Sequence, residues 1–364
     1  MKYIQEMTLD LLSNEKMVEC NCQNIISNMI NHKISENKTE LKSVLHFISI
    51  ISNDHHRFSD FFSIFENIIK YFQNEIRNFF SNYELFNIFK NNKRMIYFLF
   101  KERIIVPEYS IYLIMKNDKY QDRNYPQYFY SEMKKYFIND KIEFLNEKGY
   151  NDKQIDLKKQ IGENDSYIAQ LIREDLIDDF VSYTNKANLC LSIEKIKPSI
   201  FETNPLLIEN ETTLIEYAAF FGSIQIYRFL RINNVELTSS LWLYAIHGAN
   251  PEIIHLLEED NIIPEDKSYI ECYKESIKCH HNEIANYIQN NYILENDEKN
   301  SFFINLRFHN YSNCLNYHIS LDKLKKIEFL TSFIKYDFIN IVKTLLRDSQ
   351  ININEKIILK NYIF

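Results

Sequence analysis

The residues best suited to chemistry are cysteines and histidines in the last third of the chain. Six of them lie close together in sequence: His247, His255, Cys272, Cys279, His280 and His281. Thiolate and imidazole groups are the usual ligands of tetrahedral zinc sites. Cys272 and Cys279, however, stand seven positions apart in one expected helix, whereas zinc knuckles place their cysteines two to four residues apart. We therefore expect structural or surface roles, and a metal-dependent or unfamiliar enzyme that uses the last four of these residues is the alternative.

The patterns of familiar enzymes are absent from the sequence. The chain has only 4 glycines, and none of them stands in a GxGxxG, GxxxxGK[ST] or GxSxG arrangement. The recognisable forms of dinucleotide, P-loop and nucleophile-elbow sites are therefore excluded. Adjacent acids such as Asp178 and Asp179 are capable of acid–base chemistry, but exposed pairs on helices are usually solvated. We predict a protein that is not an enzyme and that needs no cofactor.

One stretch of the chain, residues 212–231, spells out two helices and the tight turn between them. Thr213 and Glu216 form the pattern of a capping box, which predicts a helix start at Thr213. Gly222 can adopt the left-handed conformation that ends this helix, and Ser223 is expected to cap the next one. The second helix is too apolar to stand alone in water, so the unit needs neighbours on both sides.

This unit resembles the ankyrin repeat. The matching positions are Thr213, Ile215, Ala218, Ala219, Gly222, Ile226 and Leu230, with Leu214 and Glu216 in place of the consensus proline and histidine. The resemblance implies an all-α solenoid of divergent repeats, in which finger loops and first-helix faces line a concave surface that binds other proteins. The Asn- and Ile-rich style is similar to divergent ankyrin proteins of some protist genomes, where a helical N-terminal region precedes the repeats.

The unit recurs with a period of about thirty residues. In the next unit, Asn250 and Pro251 predict a helix start, because Asn is a good N-cap and Pro is favoured at the first helical position. The only tryptophan, Trp242, takes the place of a conserved leucine and is expected in the core. An earlier unit begins at Ser166, with Asp175 at the position of the turn glycine.

Later units follow the same register less clearly. They are expected at three places: a helix capped by Asn282, a degraded unit near Ser301 to His318, and a last unit that turns near Asp337. The chain is therefore predicted to contain a helical N-terminal region at 1–115, a loop-rich joint at 116–164 and the repeat solenoid at 165–364. The clearest repeats are 212–236 and 239–262.

The composition is typical of a helical protein and argues against nucleic-acid and membrane partners. Only 4 Gly and 6 Pro occur in 364 residues, fewer than sandwiches, barrels or open α/β folds need for their turns. The net charge of −8 argues against a general nucleic-acid binder. No apolar run approaches the length of a membrane span, and 6 scattered cysteines are typical of a reducing compartment. We expect an intracellular, cytoplasmic protein, and a monomer is favoured.

The leading hypothesis is a scaffold that binds a partner protein through the finger loops and the first helices. The candidate contact residues are Asn233, Asn234, Glu236, Tyr244, His247, Asp260, Asn261, Glu265 and Asp266. Solenoid surfaces of this kind bind through a few aromatic or charged anchors, which is why Tyr, His and acidic side chains are chosen here. The identity of the partner does not follow from the sequence.

Overall fold

The computed structural model describes residues 18–54, 61–116, 125–137, 151–209, 211–293 and 298–310. Within these residues the regular elements are helices, and the one β-bridge joins Lys195 to Thr213. The predicted all-α class is therefore confirmed for this part of the chain. None of the helices described here combines the length and apolar character needed to cross a membrane.

The N-terminal region, which comprises the described residues up to Ile161, contains ten α-helices. They are α1 (Val18–Asn31), α2 (Lys38–Asp54), α3 (Phe61–Tyr71), α4 (Gln73–Phe79), α5 (Asn82–Phe89), α6 (Lys93–Lys101), α7 (Tyr109–Lys116), α8 (Tyr125–Tyr128), α9 (Tyr130–Met133) and α10 (Asp152–Ile161). Their apolar faces meet in one core rich in Ile and Phe. Each fully buried side chain of this kind contributes about 1.5–3 kcal/mol to folding.

Side-chain caps fix where several of these helices begin. Ser81 Oγ accepts a hydrogen bond from the amide of Glu84, and the Glu84 carboxylate accepts one from the amide of Ser81. Asn151 and Gln154 make the same capping box at the start of α10, with both bonds at 3.0 Å. These bonds satisfy amides that would otherwise lack a partner in the first turn of each helix.

The predicted loop-rich joint at 116–164 is only partly a joint. Its described residues include α8, α9 and α10, and Tyr128, Phe129 and Met133 are fully buried in the N-terminal core. The loop interpretation is wrong there because many of its Tyr and Phe residues are core residues rather than loop residues. The high content of charged residues and Asn led to the loop interpretation, although the aromatic residues indicated a core.

The second part of the molecule, residues 166–310, is a stack of paired helices that we call the helical stack. Its helices are α11 (Tyr167–Arg173), α12 (Ile177–Lys186), α13 (Pro205–Glu209), α14 (Leu214–Phe221), α15 (Ile224–Ile232), α16 (Leu241–Gly248), α17 (Pro251–Glu259), α18 (Ile270–Lys278), α19 (Asn282–Tyr292) and α20 (Glu298–Arg307). The first helices α11, α14, α16 and α18 pack in series, as do the second helices α12, α15 and α17.

A turn of one geometry follows five of the first helices, and in four of these cases it leads into a second helix that the structure describes. One residue in every turn has a positive φ: Asp175 (51°), Gly222 (69°), Ala249 (46°), His280 (58°) and His309 (53°). The amide of this residue bonds back to the carbonyl three residues earlier in each case, for example Gly222 to Ala219 at 3.1 Å. The predicted turns at Asp175 and Gly222 are confirmed. Of the degraded unit expected at Ser301 to His318, the described residues contain a helix, Glu298–Arg307, and the turn at His309, and the rest lies outside them.

The opposite ends of the pairs also repeat one geometry. Asn188, Asn234 and Asn261 follow α12, α15 and α17 with φ of 51°, 56° and 56°. Asn tolerates this left-handed conformation better than most residues do. The next residue in each case bonds to the carbonyl five positions back, for example Ile262 to Leu257 at 3.0 Å. The second and third of these loops, 233–240 and 260–269, are called the finger loops below.

Bonds between neighbouring units lock the stack. The Asp175 carboxylate accepts hydrogen bonds from the amides of Gln225 and Ile226 at 3.1 and 3.0 Å, so it caps α15 in the next unit. Ser223, the expected cap, instead donates its hydroxyl proton to the carbonyl of Ile172 at 2.5 Å. Asn250 caps α17 as predicted and also donates to the carbonyl of Gly222 at 2.9 Å.

Of the other predictions for the stack, the one for Trp242 is confirmed and the one for Asn282 is wrong. Trp242 is fully buried, and its indole N–H donates to the carbonyl of Ile262 at 2.7 Å. Asn282 lies inside α19 rather than capping it; its side-chain oxygen accepts a hydrogen bond from Asn310 at 2.6 Å. The last unit, with its turn near Asp337, lies outside the described residues. Repeat-like stacking is thus present, and the ankyrin character of the stack stays a prediction.

Candidate functional site: the two edges of the helical stack

Each helical pair has two ends, and the ends form two edges of the stack. The turn edge contains the five hairpin turns, and the finger edge contains the finger loops 233–240 and 260–269. In α18 these edges lie at opposite ends of a helix of 9 residues, which is about 13 Å long at 1.5 Å per residue. The candidate residues divide between the two edges.

At the turn edge, the residue two positions before each turn residue forms a column across the units. The column consists of Arg173, Phe220, His247, Lys278 and Arg307. Phe220 and His247 stack their rings, with centroids 4.9 Å apart and planes 23° apart. The residues five positions before the turn include Tyr217, Tyr244 and Glu275, one helical turn along the same face. Chemistry-bearing residues are therefore brought together by the repeat period.

A buried polar cluster surrounds His247. Its Nε2 bonds to the Glu275 carboxylate, and its Nδ1 lies 3.6 Å from Cys279 Sγ. Lys278 Nζ lies 3.0 Å from the Glu275 carboxylate and 3.3 Å from the Asp54 carboxylate at the end of α2. We call these five residues, His247, Glu275, Lys278, Cys279 and Asp54, the junction cluster, because they link the N-terminal region to the stack.

The pKa values in the junction cluster follow from burial and pairing. Burial opposes ionisation of Glu275, but Lys278 and His247 outweigh it and hold the pKa of this carboxyl well below its usual range. Burial likewise opposes the charge of Lys278, and Asp54 with Glu275 raises its pKa overall. Burial raises the pKa of the Cys279 thiol well above its usual value, and the two carboxylates add to this effect.

The order thiol, imidazole, carboxylate is also that of nucleophilic cysteine sites. Such sites need a thiolate that a substrate can reach. The Cys279 side chain is fully buried, and its raised pKa keeps the proton on sulfur. As it stands, the group has the geometry of a catalytic triad without an exposed or ionised nucleophile.

The structure does not bring together the cysteines and histidines that the sequence grouped. Cys272 is fully buried in α18, and His255 lies exposed on α17 near Glu258. His280 turns towards α2 and packs edge-on against Phe47, with ring centroids 5.7 Å apart. Only Cys279 of the predicted quartet joins the cluster around His247. The quartet is therefore wrong as a ligand set, because helical geometry points its members in different directions.

Helix α2 of the N-terminal region lies against the turn edge. His46 stacks on His309 with centroids 5.8 Å apart, beside the contact between Phe47 and His280. Burial lowers the pKa of His280 to about 4 and that of His309 to about 3, the latter also because His46 lies beside it. Both rings are therefore neutral at pH 7, and the contact depends on their remaining so.

Two predicted contact residues belong to this covered interior. Tyr244 and His247 are 3% and 4% exposed. Tyr244 packs against Phe220 at 6.4 Å between ring centroids, and burial raises its pKa to about 12. The expectation of an accessible first-helix face is wrong at these positions because side chains of the neighbouring helices α14 and α18 pack on them. A sequence pattern shows which face is apolar but not what packs on it.

A second buried polar group lies near Arg173, where the chain passes from the N-terminal region into the helical stack. Its Nη1 donates to the Asn164 carbonyl at 2.9 Å and to the Tyr217 hydroxyl at 3.0 Å. Burial, together with the charge of Glu202, raises the pKa of Glu163 to about 8. Glu202 Oε1 accepts hydrogen bonds from the amides of the two residues that follow it. Two carboxyls in one buried site favour sharing a proton.

At the finger edge, several predicted contact residues have structural roles. Asp260 binds Arg231 through two hydrogen bonds of 2.6 Å. Asp266 accepts a hydrogen bond from the amide of Ile270 at 3.0 Å and so caps α18. Asn234 and Asn261 are the left-handed turn residues. These side chains fix the conformation of the loops, so they would support partner binding by positioning the loops.

The remaining finger residues are exposed. Glu236, Glu265 and Asn233 lie on the surface, and the Asn233 side chain bonds back to the carbonyl of Phe229 at 2.8 Å. Two isoleucines that sequence reasoning missed stand beside them: Ile232 is 77% exposed and Ile263 is 55% exposed. Their signal was present in the sequence, because each stands two positions from a turn Asn: Ile232 at the last position of α15 and Ile263 in the loop after α17.

The chain was compared with known proteins. No family model, curated protein or solved structure matches it.

Proposed function

We propose that this protein is a non-catalytic scaffold that binds a partner protein along the finger edge. The partner chemistry that fits is an extended segment with aliphatic side chains flanked by Lys or Arg. The observation that carries the proposal is the pair of exposed isoleucines, Ile232 at the end of α15 and Ile263 in the second finger loop, near in sequence to the exposed acids Glu236 and Glu265.

Physical chemistry favours this edge over the rest of the stack. Exposed aliphatic side chains gain about 25 cal/mol per Å² when a partner covers them. Acids around them attract a basic partner and raise the rate of association, while the aliphatic contacts set most of the lifetime of the complex. At the turn edge, α2 already packs against two of the five turns, at His280 and His309.

The loops are also held in place, which lowers the entropy cost of binding. Thr238 and Ser240 both donate hydrogen bonds to Glu216 in the preceding unit, and the first of these measures 3.4 Å. At the second loop, Arg231 reaches Asp260 from the preceding pair. Each finger loop is thus anchored by the unit before it, which keeps the spacing of the exposed side chains fixed.

The alternative, an enzyme built on Cys279, His247 and Glu275, has weaker support. The three side chains have suitable order and proximity. A substrate would still have to reach a fully buried thiol whose proton is held by burial. Hydrolysis of activated esters by the intact chain, lost in Cys279→Ser, would favour the enzyme over the scaffold.

The scaffold is tested with a library of random peptides displayed on phage. Selection on the intact chain is expected to enrich peptides that combine Ile, Leu or Val with Lys or Arg. The best peptide should bind Ile232→Ser/Ile263→Ser about ten-fold or more weakly, because truncating anchor residues typically costs 1 kcal/mol or more each.

Tyr83→Ser provides the matched control, since it removes an aromatic side chain that is 54% exposed in the N-terminal region. This variant should bind the peptide as the intact chain does. A selection that yields no binder, or a binder indifferent to both isoleucines, would count against the finger edge as a binding surface.

A further inference from the structure

The junction cluster carries a second inference, which is independent of partner binding. Three side chains with metal-ligating atoms, His247, Glu275 and Cys279, place one such atom each within 4.8 Å of the others. Glu275 and Cys279 are four positions apart on α18 and therefore share one helix face. His247 faces them from the last turn of α16. Two neighbouring units of the stack thus supply the set.

From this geometry we propose that Cys279, His247 and Glu275 bind a divalent transition-metal ion, with Zn²⁺ as the preferred metal. The set contains one sulfur, one imidazole nitrogen and one carboxylate oxygen, all of which are zinc ligands in proteins. Hard cations such as Mg²⁺ and Ca²⁺ prefer oxygen ligands alone, so a site with a thiolate and an imidazole disfavours them.

The ligand atoms are close enough to share an ion once their side chains rotate. Cys279 Sγ lies 3.6 Å from Nδ1 and 3.8 Å from Nε2 of His247, so the sulfur stands beside the ring and not in line with the lone pair of either nitrogen. In a tetrahedral zinc site with Zn–S near 2.3 Å and Zn–N near 2.0–2.1 Å, sulfur and nitrogen are separated by about 3.6 Å. The Glu275 carboxylate now bonds to Nε2 of the same ring and has a side chain that is 18% exposed. The side chains of Cys279 and Glu275 both have to rotate to meet on one ion with a nitrogen of His247.

The rigid surroundings hold the imidazole in place. The His247 ring stacks on Phe220, with centroids 4.9 Å apart, and its side chain is fully buried. Metal ligands that are packed in this way lose little freedom on binding. The side chains of Glu275 and Lys278 are 18% and 27% exposed, so solvent reaches this margin of the cluster.

Charge balance also favours a divalent ion. The carboxylates of Asp54 and Glu275 and a Cys279 thiolate would carry three negative charges, against one on the Lys278 ammonium. The difference is the charge of Zn²⁺. Lys278 competes for Glu275 in the structure, but Asp54 lies 3.3 Å from its Nζ and retains it when Glu275 turns to the metal. Binding releases the thiol proton to solvent, so affinity should rise with pH.

The test uses the full chain, reduced and freed of metal by dialysis against a chelator, and Co²⁺ as a spectroscopic probe for Zn²⁺. We expect one Co²⁺ per folded chain and an absorption band for charge transfer from thiolate to cobalt. The band should disappear in Cys279→Ser and persist in Cys272→Ser, a matched control on the same helix that is equally buried. Added Zn²⁺ should displace the cobalt and raise the melting temperature.

A second variant keeps the test decisive if Cys279→Ser does not fold. Glu275→Gln preserves the shape of the side chain and should retain the cobalt band with about ten-fold or more weaker affinity. The proposal is overturned if the folded, reduced intact chain shows no thiolate–cobalt band. It is equally overturned if the band survives Cys279→Ser, or if Glu275→Gln binds cobalt as tightly as the intact chain.

Discussion

The turn edge and the finger edge of the helical stack are built from the same kind of left-handed turn, yet they carry different side chains. At the turn edge, Gly222 and His280 are closely packed, and the second of these lies against α2. At the finger edge, Asn234 and Asn261 stand among exposed residues. The backbone conformation is the same at both edges because the chain must reverse direction once within each helical pair and once between pairs. The side chains differ because α2 covers the turns at His280 and His309, whereas Asn234 and Asn261 remain exposed.

The comparison implies that one substitution at the turn edge should cost far more than its counterpart at the finger edge. Gly222 has φ +69°, and a Cβ atom there would lie 2.9 Å from the carbonyl oxygen of Gly248. Gly222→Val should lower the free energy of unfolding by about 2–5 kcal/mol, through backbone strain and overpacking. Asn234→Ala, at φ 56° in an open loop, should cost about 1 kcal/mol. Urea denaturation of both variants measures this, and equal losses would erase the distinction between the edges.

The junction cluster should account for the next largest effect. Lys278→Met leaves the carboxylates of Asp54 and Glu275 without the ammonium that lies 3.3 and 3.0 Å from them. Removing one partner of a buried ion pair typically costs 3–5 kcal/mol; because 27% of the Lys278 side chain is exposed, we expect about 2–3 kcal/mol. Adding Asp54→Asn should recover part of the loss. A double variant that is less stable than Lys278→Met would show that the carboxylates do not repel.

The two edges should also respond differently to acid. Folding lowers the pKa of His280 to about 4 and that of His309 to about 3. Below their ordinary pKa of about 6.5 the unfolded chain binds protons that the folded chain does not, so stability is lost as pH falls. Each ring should cost about 2 kcal/mol by pH 5. His280→Asn, which tolerates the left-handed turn, should flatten the decline between pH 6.5 and 5. An unchanged slope would mean that His280 titrates normally.

Glu163 predicts the opposite slope at higher pH. Burial and Glu202 raise its pKa to about 8, so between about 4.5 and 8 the folded chain retains a proton that the unfolded chain has lost. Stability should therefore fall as pH rises through this window, and Glu163→Gln should remove that part of the decline. Thermal melts at pH 6 and pH 8.5 are sufficient to measure it. A Gln variant that still loses the same stability would assign the decline to another group.

The smallest effects are expected at the finger edge. Glu236→Lys/Glu265→Lys should change the free energy of unfolding by no more than about 0.5 kcal/mol, because exposed charges outside ion pairs contribute little. Asp260→Lys, on the same edge, should cost about 1 kcal/mol because it breaks the two bonds to Arg231. Melting curves of the two variants distinguish the acid that holds a loop through Arg231 from the acids that are only solvated. If Asp260→Lys melts at the temperature of the intact chain, the acids do not differ in this way.

Local sequence signals predicted the parts of the fold that depend on interactions between residues close together in the chain. The capping box of Thr213 and Glu216 forms with a bond of 2.8 Å from the Thr213 amide to the Glu216 carboxylate. The left-handed Gly222 and the helix start at Asn250 also formed as expected. Each of these features is decided by a few consecutive residues, so propensity and capping rules suffice.

The candidate site depended on contacts that no local pattern encodes. Asp54 meets Lys278 across more than 200 positions of sequence, and His247 meets Glu275 from the neighbouring unit. The sequence grouped Cys272 with Cys279 because they are near in the chain, whereas a helix turns them apart. Aligning the units by their turn residues would have found the column of Phe220, His247 and Lys278. What covers that column still depends on the tertiary contact with α2.

The most direct test of the difference between the edges is hydrogen exchange on the full chain with and without the selected basic peptide. The scaffold proposal predicts that bound peptide slows exchange in the finger loops 233–240 and 260–269, with little change at the hairpin turns around Gly222 and His280. Slowed exchange confined to the turn edge or to the N-terminal region, with the finger loops unaffected, would contradict it.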